Sequence, residues 1–308
     1  MIRLRNLQKK FAQRLAVDGL TLDVPAGAIY GLLGHNGAGK STAIGMMLGQ
    51  VWPTSGEVEV CGFEVTSQRQ RALRKVGAIF ETPAFYDYLS GWRNLEILST
   101  YTAPTPPERI REVIAWVGLS GRERSTVKTY SHGMRARLAL AQALLPWPEL
   151  LILDEPGDGL DPEGIHEMRQ TILRLHREFG LTILLSSHLL SEVEHLCTRI
   201  AVMNQGRKVF EGPLSQVKQD KSCVRLRVGN FKQAVAELRA ASMIVGARDG
   251  EFIELAEGVG TDQIVRKLVE LGMPVFEVTP IEQSLEEFYL TLMKQPESPA
   301  AGNSQAAP

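Results

Sequence analysis

Cysteine is scarce in this chain. Three residues in 308, Cys61, Cys197 and Cys223, are too few and too scattered for a disulfide framework or a cysteine-rich metal site. Aromatic residues make up only 6%, and neither sign of charge is in excess, since 34 Lys+Arg against 35 Asp+Glu leaves −1. That balance excludes a strongly basic nucleic-acid binder and an acidic disordered chain. No apolar run approaches the roughly 18 residues of a membrane-spanning helix. The N-terminus, MIRLRNLQKKF, alternates apolar and polar residues where a secretory signal would carry an unbroken apolar stretch. What remains is the composition of a globular protein, 44% hydrophobic and 22% charged, with a length that suggests about two domains. On these grounds the chain reads as soluble and cytoplasmic, with its chemistry still open.

Three buried runs, Ala28–Gly34, Leu150–Pro156 and Thr182–His188, have the continuous apolar character of parallel strands covered on both faces. Each is followed by a helical stretch: Lys40–Gly49, Glu163–Phe179 and Leu189–Cys197. Strand then helix, repeated, is the order of an α/β fold with a parallel sheet. The alternating segments Ile2–Leu7, Ala16–Val24 and Gly56–Val60 fit an antiparallel β subdomain alongside it. Residues 89–145 read as mostly helical, inserted between the first and second buried strands. After Pro213 the order strand, helix, strand, strand, helix, strand, with a hairpin turn at Asp249-Gly250, suggests a small α+β ferredoxin-like unit closed by a helix over Ser284–Lys294. The expected domains are 1–215 and 216–294, followed by a disordered tail at 295–308 rich in Pro, Ser, Ala and Gly.

Gly34-His35-Asn36-Gly37-Ala38-Gly39-Lys40-Ser41 has the G-x-x-x-x-G-K-[ST] spacing of a phosphate-binding loop, between a buried strand and a helix as the motif requires. Gly34, Gly37 and Gly39 let successive backbone N–H groups, including that of Asn36, turn toward phosphate oxygens, and the helix N-terminus adds a favourable dipole. Lys40 would neutralise the β- and γ-phosphates, and the Ser41 hydroxyl, with Thr42 beside it, would face the nucleotide and a Mg²⁺ ion. Leu150–Asp154 is an apolar strand ending in Asp154-Glu155. Taken alone, that pair fits a helix cap before Pro156 equally well. Beside a phosphate loop it reads as a metal-holding carboxylate, Asp154, followed by a carboxylate that polarises the attacking water, Glu155.

With these motifs in order, the chain resembles the ATP-binding subunits of ABC transporters from about Arg3 to Gly212. Phe11 falls where that family places the aromatic residue that stacks on adenine. Tyr130-Ser131-His132-Gly133-Met134 falls at the ABC signature, Gly159-Leu160-Asp161 at the D-loop, and His188 at the switch histidine. Read singly, Phe11 is a core aromatic and His188 a helix cap. The resemblance implies a P-loop NTPase with parallel core sheet, antiparallel β subdomain and helical insertion, working with ATP and Mg²⁺. It also implies a head-to-tail dimer with a second copy, in which Ser131 and Gly133 of one subunit meet the γ-phosphate held by Lys40 of the other. Asp161 would tie the two sites together.

Two departures stand out. Glu81 occupies a position that most family members fill with Gln, and it would hold Mg²⁺ or its water. The signature carries His132 and Met134 where Gly and Gln are usual. With the aromatic stretch Pro83–Leu98, these features resemble the bacitracin and lantibiotic self-protection exporters and related multidrug and copper-processing ATPases. The implied partner is a separately encoded polytopic membrane permease, and the stretch with Phe85, Tyr86, Tyr88, Leu89 and Trp92 reads either as core packing of the helical insertion or as the groove for a coupling helix of that partner. The implied location is the cytoplasmic face of the cell membrane, with no nucleic acid involved. The competing readings are a soluble ABC ATPase of translation or DNA repair, and a nucleotide sensor that binds ATP without turning it over.

Overall fold

The computed structural model describes residues 1–80, 84–101, 105–218, 223–281 and 284–294, so the expectations for Glu81 and for the tail at 295–308 lie outside the described residues. The chain divides into two compact units, Met1–Leu214 and Ser215–Pro308.

In the first unit, β1 (Ile2–Phe11) and β2 (Arg14–Val24) precede β3 (Ile29–Leu33), which runs through the phosphate loop into α1 (Lys40–Met47). Next come β4 (Ser55–Val60), β5 (Phe63–Glu64), α2 (Val65–Leu73) and β6 (Val76–Ile79). The helical insertion holds α3 (Gly91–Ser99), α4 (Pro107–Trp116), a 3₁₀ turn at Val127–Thr129 and α5 (His132–Leu144). The chain then returns through β7 (Leu150–Asp154), α6 (Pro162–Phe179), β8 (Thr182–Ser187), α7 (Leu190–Leu196), β9 (Arg199–Asn204) and β10 (Arg207–Pro213), with α8 (Leu214–Lys218) at the boundary.

The core sheet has the order β10-β9-β3-β8-β7-β6, parallel except for the β10 edge. A second, antiparallel sheet has the order β2-β1-β4-β5. Strands β3 and β8 are buried along their whole length, as continuous apolar runs require. β1 turns Ile2, Leu4 and Leu7 inward, where they join Ile44, Met46 and Met47 of α1 and Ile152 and Leu184 of the core sheet in one apolar cluster. Each such fully buried side chain stabilises by about 1.5–3 kcal/mol. The sequence pattern misses β6, because VGAI, four residues with a glycine among them, is too short to show a period. It extends the parallel sheet beyond β7 and sets the far edge of the layer that carries the site.

The second unit contains β11 (Cys223–Val228), α9 (Phe231–Ala240), β12 (Ile244–Arg248), β13 (Phe252–Leu255), α10 (Thr261–Glu270), β14 (Val275–Pro280) and α11 (Leu285–Lys294). Its sheet has the order β12-β13-β11-β14 with antiparallel neighbours, and a separate core of Val224, Leu226, Leu238, Ile253, Ile264 and Leu268. Both Asp249 and Gly250 have positive φ, 54° and 68°, the backbone that a two-residue hairpin turn needs. Among the described residues, no helix is long and apolar enough to cross a membrane.

Candidate functional site

The phosphate loop leaves the C-terminal end of β3, at the edge of the parallel sheet where ligands of open α/β folds bind. Gly39 caps α1 with φ 104°, and a Cβ there would stand 2.5 Å from the Ala16 carbonyl oxygen, so the loop can close onto β2 only with glycine at this position. Lys40 is the first residue of α1. It is 4% exposed, and its ammonium donates to the Gly34 carbonyl at 2.7 Å. A buried ammonium needs an anionic partner, and here Glu155 Oε1 lies 3.2 Å away.

Glu155 follows the last residue of β7 with φ 48°, a left-handed backbone that L-residues seldom adopt. Ser186 of β8 holds it there. The Ser186 Oγ accepts the Glu155 N–H at 3.0 Å and donates to Asp154 Oδ1. The second carboxylate oxygen of Glu155 lies 2.6 Å from His188 Nδ1, just past the end of β8. Burial by itself would raise the Glu155 carboxyl, but hydrogen bonds and charge from Lys40 and His188 outweigh it and hold the group below the usual glutamate range. Glu155 is thereby kept ionised, the form in which a carboxylate accepts a proton from water.

A cleft of roughly 480 Å³ opens over Lys40 and Glu155, lined also by Phe11, Arg14, Asn36 and Ser41 among others. Gly37, Gly39 and Thr42 also line it. Phe11, at the end of β1, is 47% exposed at the rim, so it is not a core aromatic, and the Lys9 ammonium stands 4.8 Å over its ring. The volume and lining suit a nucleotide: a ring face at one end, backbone amides and an ammonium at the other. Ser41 hydroxyl and Asp154 carboxylate supply the hard oxygen donors that Mg²⁺ prefers, so these residues fit the ion.

Ser131 and Asp161 do not line this cleft. Each is a helix N-cap instead: Ser131 Oγ accepts from Met134 N–H at 3.2 Å to start α5, and Asp161 Oδ1 accepts from Gly164 N–H at 2.8 Å to start α6. The two helix starts lie close together, with Gly133 facing Gly164 and the His132 ring against Gly159. A helix start carries a dipole that favours an anion, and Ser131–Gly133 forms such a start outside the cleft at Gly34–Ser41.

Three residues at the site escape the motif reading. Ser186 sits at the end of an apolar strand, where its only sequence signal is a pair of serines before His188. Arg14 donates to the Gly37 carbonyl at 3.3 Å. Asp158 joins Glu155 and His188 in a group whose ligand atoms lie within 4.8 Å of one another. Of the aromatic stretch, Tyr86 and Tyr88 are 41% and 74% exposed, while buried Asn94 bonds both the N–H and the carbonyl of Tyr86 and fixes the segment to α3.

A family profile described as ABC transporter matches residues 17–158. The chain is 37% identical over 298 residues to the bacitracin transport ATP-binding protein BcrA of Bacillus licheniformis, covering 95% of this chain and 97% of that one. It is 40% identical over 211 residues to the lantibiotic transport ATP-binding protein SrtF of Streptococcus pyogenes, covering 68% and 90%. A dimeric ATP-binding cassette solved in a post-hydrolysis state with ADP and Pi superposes with a TM-score of 0.63 at 22% identity, over 70% of this chain and 99% of that one, and shares its fold. With a buried lysine, an ionised glutamate and a histidine gathered at a nucleotide-sized cleft, the chain belongs to the ABC transporter family and is an ATP-binding, ATP-hydrolysing subunit of such a transporter.

Proposed function

We propose that this subunit drives an exporter of an antibiotic peptide or similar drug, acting from the cytoplasmic face of the membrane on a separate polytopic permease. The printed functions of BcrA and SrtF, bacitracin and lantibiotic transport, support that cargo class. The soluble translation or repair reading lacks comparable support. The observation that carries the catalytic reading is the Lys40–Glu155–His188 arrangement beneath the cleft, with contacts of 3.2 and 2.6 Å.

Phe11 stacks on adenine, and the Gly34–Ser41 amides and Lys40 hold the phosphates. Lys40 bonds Glu155 directly, so a γ-phosphate entering the cleft competes with that carboxylate for the ammonium. Glu155, turned toward the phosphate by Ser186, then takes a proton from the attacking water, while His188 keeps the carboxylate oriented. Ser41 and Asp154 would hold Mg²⁺, which neutralises charge developing on the phosphate oxygens. Two copies pair head to tail, the Ser131–Gly133 helix start of one closing on the nucleotide of the other, with Asp161 at the seam. The second unit, whose strand order is that of a ferredoxin-like fold, supports or regulates the dimer.

Glu155→Gln keeps the shape of the carboxylate but cannot accept the proton. It is expected to lower hydrolysis by about 100-fold or more while ATP binding persists and an ATP-dependent dimer accumulates in size-exclusion chromatography. Normal turnover by that variant would remove Glu155 as the base, and an ATP-bound monomer would remove the head-to-tail dimer.

A further inference from the structure

Glu192 of α7 is a carboxylate only 8% exposed, and it lines no part of the nucleotide cleft. Its Oε2 accepts the Ser187 hydroxyl at 3.0 Å. Ser187 immediately precedes His188, and its Oγ in turn accepts the Leu189 N–H at 2.9 Å, so hydroxyl and carboxylate together brace the backbone on both sides of the histidine. The other carboxylate oxygen faces the turn after Glu155. Oε1 stands 2.1 Å from the point a Cβ on Gly157 would occupy, so the close approach depends on the glycine. One side chain thus touches the segment that carries His188 and the segment that follows Glu155.

We propose that Glu192 is a positioning residue for ATP hydrolysis, its carboxylate fixing the Ser187–Leu189 segment and the Gly157 turn against one another so that His188 and Glu155 meet. The proposal rests on reading Glu155 and His188 as the hydrolytic pair. Both residues lie beyond the ends of their strands, where ladder hydrogen bonds no longer hold the backbone. A displacement of about 1 Å at such a pair costs up to about 100-fold in rate. Packing alone does not account for an acid here, since an apolar side chain of similar size would fill the space without desolvating a charge. Burial raises the Glu192 carboxyl above its usual range, against the Ser187 hydrogen bond and the nearby His188 and Arg169, with Glu155 adding to the rise. The group therefore sits in the field of the pair it braces.

The test compares Glu192→Ala, Glu192→Gln and Ser187→Ala in the purified full chain, with ATP affinity, KM and kcat measured separately. Glu192→Ala is expected to lower kcat about 10–100-fold with KM and ATP affinity held within about twofold. Gln offers Ser187 the same acceptor and is expected to recover most of that loss. Ser187→Ala, with its fold checked by circular dichroism, is expected to show the same split and carries the test if the alanine variant at 192 does not fold. In a His188→Ala background, replacing Glu192 is expected to lower the residual rate no further. Wild-type kcat in Glu192→Ala, a joint loss of affinity and rate, or an equal further loss without His188 would each overturn the proposal. Glu155→Gln assayed alongside keeps the two readings apart: normal turnover there removes the hydrolytic pair itself, whereas a dead Glu155→Gln beside a fully active Glu192→Ala removes only the positioning role.

Discussion

Glu155 carries two costs at once, a left-handed backbone and partial burial of a charge. Such a backbone costs about 1–3 kcal/mol for a residue other than glycine, and it persists because Ser186, Lys40 and His188 each hold one atom of the residue. The titration that follows has a definite sign. A carboxyl whose pKa is depressed by folding contributes stability that is fully present above the unfolded value, about 4.3, and is lost as pH falls through the lower folded value. In urea denaturation, the stability gap between wild type and Glu155→Gln is expected to narrow as pH falls below about 4.3. A gap that widens in acid would mean that burial, and not the lysine and histidine, governs this group.

At the scale of elements, a buried cation knits α4 to α5 within the helical insertion. Arg109 of α4 is 4% exposed, lies 4.4 Å from the Trp116 ring and 4.8 Å from the Trp147 ring, and donates to the Leu144 carbonyl at the end of α5 at 2.6 Å. Trp116 in turn packs on Phe179, the last residue of α6, at 4.3 Å between ring centres. The chain of contacts runs from insertion to core. Burial lowers the guanidinium pKa, partly offset by Glu112, yet an arginine stays charged. Arg109→Ala is expected to destabilise by about 2–4 kcal/mol in chemical denaturation, combining lost cation–π contacts with a charge-assisted hydrogen bond. Arg109→Lys is expected to recover less than half, because an ammonium cannot present a planar face to two indoles. Full recovery by lysine would show that charge alone is what matters there. None of this is legible in PERIREVIAW, where Arg109 reads as one more polar residue of an amphipathic helix.

For the whole molecule, every described site residue lies in the first unit, and the two units have separate apolar cores. A chain ending at residue 218, after α8, is therefore expected to unfold cooperatively and to bind ATP within about threefold of the full chain's affinity. Any deficit should appear in dimer formation or transport coupling, measured by ultracentrifugation and by permease-stimulated turnover. Loss of ATP binding on truncation would show instead that the second unit completes the nucleotide site.

The amino-acid sequence determined the local parts of this protein. The apolar runs of β3, β7 and β8, the glycine spacing around Lys40 and the Asp249-Gly250 turn each depend on a few consecutive residues, whose period or backbone freedom is visible in the letters. Tertiary structure decided which of these parts meet. Asp154 and Ser186 are register partners across the parallel β7–β8 pair, and that register brings the serine under the Glu155 turn. His188 lies 33 positions from Glu155, and Glu192 reaches back across a helical turn to Gly157. No spacing rule fixes those distances, because they are set by how two strands and a helix pack. The nucleotide loop is a property of eight neighbouring residues, and the hydrolytic centre is a property of the sheet.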